Sequence, residues 1–344
     1  MRPGAARPRI AYLLRQYPQL SETYVRSEID AIRVACDVLV LAFAPPDLPY
    51  VSDVPFKVSD DWEEVADVIA DFRPHVLHTH WLYTIWDLDY FARRLQIPYT
   101  VRAHSFDVLI DPLHDYEEAV DLVNDELCLG VLTFPFAKPL LEQTGMREDK
   151  LVPCFPVVDY NLFHDETPNG DRVMNVGACL PKKQMEDFLD LAASMPDRGF
   201  DLYAMGYDTA DITDRNRDLG GPVTVLPSMP LDLMPSEYKK HEWLVYTASR
   251  KIGTVGWPMA VAEAQASGVG VCMANLRPDL HEYVGDCGFL FDSIAEAREI
   301  VSRPFPTELR AQGFEHARRS DVAQHKQLLL ELWRPALQGA SCSP

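Results

Sequence analysis

Short β-branched or apolar runs alternate with longer amphipathic runs along nearly the whole chain, which is the pattern of parallel sheets joined by crossover helices. Strands are predicted at Ile10–Leu14, Cys36–Phe43, His75–His78, Tyr99–Ala103, Leu127–Thr133 and Leu151–Phe155. Helices are predicted at Ser21–Arg33, Trp62–Phe72, Ile85–Leu95 and Asp115–Asn124. A second series begins after the polar stretch His164–Asp171, with strands at Val173–Val176, Asp201–Ala204, Val223–Leu226, Trp243–Tyr246 and Val269–Met273. The expected fold class is therefore α/β, with two doubly wound Rossmann-like domains at 1–163 and 172–320 facing each other across a cleft. In such folds ligands bind outside the carboxyl ends of the strands. The amphipathic run Asp321–Trp333, within a tail of 321–344, is expected to pack back on the first domain. No internal repeat or low-complexity tract interrupts the pattern.

Composition removes several classes of function. A formal charge of -20 argues against nucleic acid, because phosphate backbones are bound by basic faces. The longest uninterrupted apolar run, Val38–Ala44, is far short of a membrane span, and Ile10–Leu14 is too short for a signal-peptide core, so a cytoplasmic location is expected. Seven cysteines, at 36, 128, 154, 179, 272, 287 and 342, form no C-x-x-C pair and read as reduced thiols, with no metal site indicated. Leu14 is followed by RQYPQLSETY with no glycine, which argues against a dinucleotide-binding dehydrogenase. G-x-x-x-x-G-K-[ST], H-E-x-x-H and G-x-S-x-G are absent too.

Four segments carry candidate chemistry. Within VGWPMAVAEAQASGVGVCMANLRPDLHEYVGDCGFLF, Glu263 is the one carboxylate of an apolar helical run, costly to bury unless it has a partner. Gly256, Trp257 and Pro258 form the turn before that helix and Gly268 ends it; Asp279, His281 and Glu282 follow the next strand. In QYPQLSETYVRSEIDAI, Ser21 can cap the next helix and Glu22 stands in its first turn, where the macrodipole favours an anion. In YTVRAHSFDVL, His104 follows a strand and precedes Asp107. His78 and His80, two apart in HTHW, share one strand face and serve either a site or buried polar partners. In VGACLPKKQ, Lys182 and Lys183 at a helix start oppose the positive dipole end, so they are either solvated surface lysines or face a bound anion.

In order and spacing these segments resemble the retaining nucleotide-sugar glycosyltransferases of the GT-B fold, family four, over roughly residues 9–292. The stretch around Glu263 resembles the donor-binding EA-x-A-x-G helix start, implying that Glu263 contacts the nucleotide ribose. QYPQLSET resembles the YP-x-x-SET loop of exopolysaccharide and cell-envelope enzymes, implying an acceptor-side role for Ser21 and Glu22, with His80 on the same side. YTVRAHSFD is similar to the T-x-H-x-x-D segment, implying that His104 contacts the donor sugar and Asp107 belongs to the catalytic set. VGACLPKKQ resembles V-G-R-L-x-x-K-K-G, implying that Gly177, Lys182 and Lys183 border the donor diphosphate. Glu282, Gly256, Arg250 and Lys251 complete the implied donor site.

Two departures stand against this resemblance. Ala178 occupies the usual arginine position, and Val255 that of a first glutamate eight positions before Glu263. Each lost polar contact is worth about 1 to 3 kcal/mol, and Arg250 or Lys251 is the expected replacement cation. The expected function is transfer of a sugar from a nucleotide-diphosphate donor to a hydroxyl acceptor with retention, without metal or other cofactor, in polysaccharide, envelope or natural-product glycoside synthesis. The implied acceptor is a glycan, a lipid-linked molecule or a small molecule. The alternative is a catalytically weakened GT-B partner protein in a glycosylation complex; an epimerase or phosphorylase on the same fold is a third reading. Arg2, Arg7, Arg9 and Arg15 make the amino end locally basic, consistent with at most weak peripheral membrane contact.

Overall fold

Both sheets are all-parallel and each reverses its strand order once, which fixes where loops can gather. The computed structural model describes residues 7–47, 49–109, 117–205 and 209–339. The first sheet contains β1 (Arg9–Gln16), β2 (Asp37–Ala44), β3 (Phe56–Val58), β4 (Val76–His80), β5 (Tyr99–Arg102), β6 (Cys128–Thr133) and β7 (Leu151–Pro153), in the order β3-β2-β1-β4-β5-β6-β7. The second contains β8 (Arg172–Gly177), β9 (Phe200–Ala204), β10 (Val223–Pro227), β11 (His241–Tyr246), β12 (Gly270–Ala274) and β13 (Phe289–Phe291), in the order β10-β9-β8-β11-β12-β13. The switch points lie at β1/β4 and β8/β11, where the loops on either side diverge and leave room for a ligand.

The described residues form two compact units, one up to Phe155 together with those from Val322 onward, the other Pro156–Asp321. The first unit ends before the expected boundary at 163. The helix Tyr160–Phe163 packs into the second unit instead: Phe163 meets Tyr238 edge-on at 5.6 Å, and Ser267 donates to the Phe163 carbonyl at 3.2 Å. The C-terminal helix Val322–Gly339 belongs to the first unit. Its Leu329 and Trp333 join Val25, Ile29 and Ile32 of the helix Thr23–Arg33 over Ile10, Tyr12 and Leu14 of β1. Burying each such large side chain stabilises the unit by about 1.5–3 kcal/mol.

Several element ends differ from the sequence reading. The first helix starts at Thr23, not Ser21; Glu22 is its N-cap and makes no side-chain capping bond. A backbone bond from Glu22 N to the Gln19 carbonyl, 3.0 Å, closes a turn that leaves Ser21 outside the helix, so the expected Ser21 cap is absent. Lys182 and Lys183 lie in a 3-10 turn, Pro181–Lys183, one residue before the helix Met185–Ala193, so they do not occupy its first turn. Gln184 between them has φ 46°, the left-handed region, which breaks the chain's path into the helix. The edge strand β3, FKV, is too short to carry a periodic signal.

Among the described residues no helix is long and apolar enough to cross a membrane. The six described cysteines are free thiols. Cys342 and Arg2 lie outside the described residues.

Candidate functional site

At the switch point of the first sheet a fully buried carboxylate, Glu28, is surrounded by donors from three elements besides its own helix. It occupies the buried stripe Val25, Glu28, Ile29, Ile32 of the helix Thr23–Arg33. Tyr12 of β1 donates to Oε1 at 3.0 Å. His78 and His80 of β4 bring their Nε2 atoms to 3.1 and 3.3 Å from the same oxygen, His78 with poor alignment. His325 of the C-terminal helix bonds Oε2 through Nε2 at 2.5 Å. Burial alone raises the Glu28 carboxyl, but the facing rings of His80, His325 and His78 outweigh it and hold the group well below the ordinary carboxylate value. Arg102 of β5, also buried, donates to His325 Nδ1 at 3.2 Å and to the Phe155 carbonyl at 2.9 Å. A buried negative charge and a buried positive charge are thus linked through one imidazole.

His104 stands on the rim of this cluster. Its Nε2 lies 3.1 Å from His80 Nδ1, and its ring packs against Tyr24 at 4.8 Å and Trp81 at 5.0 Å. Burial, then His80 and Arg102, hold it well below the usual histidine value, so it is neutral at pH 7. The Asp107 carboxylate accepts the His104 backbone N–H at 2.7 Å, the reach-back of a capping box that starts the helix Ser105–Leu109. Asp107 therefore orients the His104 backbone, a positioning task. Nearby, burial pushes the Glu22 carboxyl up to about 8, which leaves it largely protonated at neutral pH.

Glu28, His78 and His80 also bring three metal-type ligand atoms within 4.8 Å of one another. Trp333 donates to Thr100 Oγ1 at 2.9 Å, and the same hydroxyl lies 2.7 Å from His78 Nδ1.

At the switch point of the second sheet the charges have fewer partners. Gly177 ends β8 with φ +151°, and a side chain there would meet Lys183 Nζ at 3.7 Å. The turn carrying Lys182 and Lys183 is pinned to the loop after β11: Ser249 N donates to the Lys182 carbonyl and Thr247 Oγ1 to the Lys183 carbonyl, both at 2.9 Å. Lys183 Nζ sits 4.3 Å above the Tyr246 ring, with no carboxylate bonded to it among the described residues. Burial, reinforced by Lys182, pushes its pKa down to about 7. Glu263, in the helix Met259–Ala266, accepts one bond, from Tyr238 Oη to Oε2 at 2.7 Å. Burial outweighs that bond and pushes the carboxyl up to about 7. Beyond the carboxyl ends of β8, β11, β12 and β13 lies a cavity of about 440 Å³, lined by Gln184, Asp187, Arg250, Lys251, Ala274 and Asp292. That size falls within the range of small-molecule sites.

Known structures share this arrangement of sheets at low identity. HepE of Anabaena, solved with UDP and glucose, is 16% identical with a TM-score of 0.75, over 94% of this chain and 98% of its own. Sucrose-phosphate synthase of Thermosynechococcus elongatus is 14% identical with a TM-score of 0.70, over 97% and 100%. A glycosyltransferase of Rickettsia africae is 13% identical with a TM-score of 0.70, over 97% and 99%. The fold is GT-B. No protein-family model and no curated protein sequence matches the chain.

Within the GT-B frame, the expected residues divide by unit. In the first, His80, His104 and Asp107 come together, and Glu22 is placed nearby through Tyr24 and Tyr83. Ser21 is part-exposed at the turn. In the second, Gly177 and Lys183 adjoin, and Gly256 is buried in the loop before the Glu263 helix. Arg250 is half-exposed and tied to Asp292 at 2.7 Å, so its charge is already answered, whereas Lys251 is exposed beside the same cavity. Glu282 is exposed. At the departure Val255, Arg277 donates to the carbonyl at 2.6 Å while its guanidinium bonds Asp279 at 2.9 Å. Asp279 also accepts Trp257 Nε1 at 2.8 Å, and Trp257 stacks on Tyr283 at 4.9 Å. The loop is fixed by this arginine and aromatic pair.

Sequence reasoning missed Glu28, Arg102 and His325. Glu28 had a local signal: a carboxylate at helical spacing within the apolar positions 25, 29 and 32. Arg102 had one as well, a cation inside a strand of a parallel sheet buried on both faces. His325 had none, since its partner is 297 residues away.

Proposed function

We propose that this chain transfers a sugar from a nucleotide-diphosphate donor to a hydroxyl acceptor. The sugar–phosphate C–O bond is exchanged for a C–O bond to the acceptor oxygen, releasing nucleoside diphosphate and a proton. One observation carries the reading: Lys183, part-buried on a turn whose backbone is pinned, is answered by no carboxylate among the described residues, at the switch point of a GT-B sheet. A diphosphate supplies the missing charge, and its developing negative charge on departure is what a fixed cation stabilises most. Glu263, with one oxygen bonded to Tyr238 and the other open among the described residues, suits a ribose hydroxyl. By the motif resemblance His104 is assigned to the sugar and Glu22, largely protonated, to the acceptor. Lys251, whose side chain has no hydrogen-bond or ion-pair partner among the described residues, is a better second cation for the phosphates than Arg250, which Asp292 already pairs.

Retention of configuration, independence of metal, membership of family four and a cytoplasmic place in glycan, envelope or natural-product assembly are part of this proposal and rest on the motif resemblance. Because HepE was solved with UDP and with UDP-glucose, those are the first ligands to try. Calorimetric titration with a panel of nucleoside diphosphates and nucleotide sugars tests the reading. One saturable ligand, weakened by Lys183→Ala and by Glu263→Ala, is the expected result; no binding across the panel overturns it. That negative outcome favours a GT-B partner protein without transferase activity, the reading that Ala178 and Val255 support.

A further inference from the structure

Buried, neutral imidazoles in a chain of hydrogen bonds leave little freedom about where their protons sit. Glu28, ionised, can only accept. His80 Nε2, at 3.3 Å, must then carry a proton to face it. Burial pushes His80 down to about 4 against the pull of Glu28, so at neutral pH it holds a single N–H and its Nδ1 is a lone pair. That lone pair lies 3.1 Å from His104 Nε2. His104, also neutral, therefore donates from Nε2 and keeps Nδ1 unprotonated. Among the described residues Nδ1 has no hydrogen-bond partner, and the ring is part-exposed.

We infer that Glu28 is a positioning residue which, through His80, fixes His104 in the Nε2–H tautomer and so presents Nδ1 outward as an acceptor for a substrate hydroxyl. The surrounding groups support this assignment over its reverse. A doubly protonated His80 would donate to both neighbours and force the opposite tautomer on His104, but it would place a second cation in a sealed pocket that already contains Arg102. His325 Nε2 bonds Glu28 Oε2, which gives His325 the same Nε2–H form, while one Arg102 Nη lies 3.2 and 3.3 Å from its two ring nitrogens. Tyr12 and Thr100 are neutral hydroxyls consistent with that pattern. Buried orienting partners of this kind are the usual means by which proteins choose between imidazole tautomers. A hydroxyl bound by His104 must then donate its proton, which selects the orientation of the sugar group it meets. The tautomer itself rests on geometry alone; its use on a sugar rests on the proposed transfer.

The deciding experiment reads the tautomer directly in the parent chain. Long-range ¹H–¹⁵N spectra of the full chain labelled at histidine ring nitrogens, with His104 assigned by its loss in His104→Gln, are expected to show protonated Nε2 and unprotonated Nδ1 at pH 7. The reverse tautomer, or an imidazolium, overturns the inference, and so does stoichiometric divalent metal in the purified protein, which would replace the Nε2 protons. Glu28→Ala is expected to let His104 populate both tautomers and to lower the turnover rate at saturating donor by about 10- to 100-fold. Tyr12→Phe, which removes a donor from the same oxygen, is expected to leave the tautomer unchanged. An unchanged His104 spectrum in folded Glu28→Ala overturns the inference. If the chain transfers no sugar, the spectra still decide the tautomer, so the two proposals fail separately.

Discussion

Two sites, Glu28 in the first unit and the Lys183 and Glu263 pair in the second, answer their charges in opposite ways. In the first, Glu28 faces Tyr12, His78, His80 and His325, and Arg102 is bonded to His325 and a carbonyl. In the second, Glu263 has a single tyrosine bond and Lys183 only the face of Tyr246. Desolvating a charge costs several kcal/mol unless partners replace the lost water. A carboxylate met by several donors keeps its charge at low cost, and a charged group with few partners marks a candidate place for a ligand. The pKa directions agree: Glu28 is held low by its partners, while Glu263 rises and Lys183 falls to about 7 because burial dominates.

The contrast breaks most visibly at Glu28. Glu28→Ala leaves several buried donors without their acceptor and the buried Arg102 charge without a nearby anion, and urea unfolding is expected to show a loss of about 3–5 kcal/mol. A loss below about 1 kcal/mol means the cluster is not mutually satisfied. Lys183→Met is expected to act in reverse: the free protein unfolds no more easily than the parent, while the dissociation constant for the best nucleotide diphosphate rises about 10- to 100-fold. A destabilised Lys183→Met protein would place Lys183 among the structural charges.

A pH series sharpens the same point, with an expected effect on the order of 1 kcal/mol. Glu263, raised to about 7 from an unfolded value near 4.5, contributes stability at low pH that is lost as pH rises through 7. Lys183, depressed to about 7 from 10.5, contributes stability at high pH that is lost as pH falls through 7. Their combined contribution is weakest near pH 7, so the stability gained by Glu263→Gln with Lys183→Met is expected to peak there; a difference flat from pH 5 to 9 would refute the assignment. The smallest effect is expected at Arg250. It is an exposed ion pair with Asp292, and Arg250→Ala should change stability by less than about 1 kcal/mol and nucleotide affinity by less than about threefold.

Much of this contrast was legible in one dimension for the second unit and little of it for the first. Glu263 and Lys183 stand out because each is a charge in a local pattern that disfavours it: an apolar helix for one, a strand-to-helix turn for the other. His104 was legible from its place after a strand. What it leans on was not. Its partner His80 is on another strand, and the chain from His80 through Glu28 to His325 joins three elements. Ser21 shows the converse, since residue type suggested a helix cap and the Gln19–Glu22 turn removed it.

By itself the sequence determined the two series of strands and helices, the all-parallel α/β class they imply and the charged residues at the strand ends, because hydrophobic period and turn chemistry are local. Tertiary structure alone decided which charges are answered and which are open, where the first unit ends, and that the C-terminal helix supplies a ligand to a carboxylate near the amino end. Solvation of a buried group depends on every atom within a few ångströms of it, and those atoms come from parts of the chain whose proximity no local pattern records.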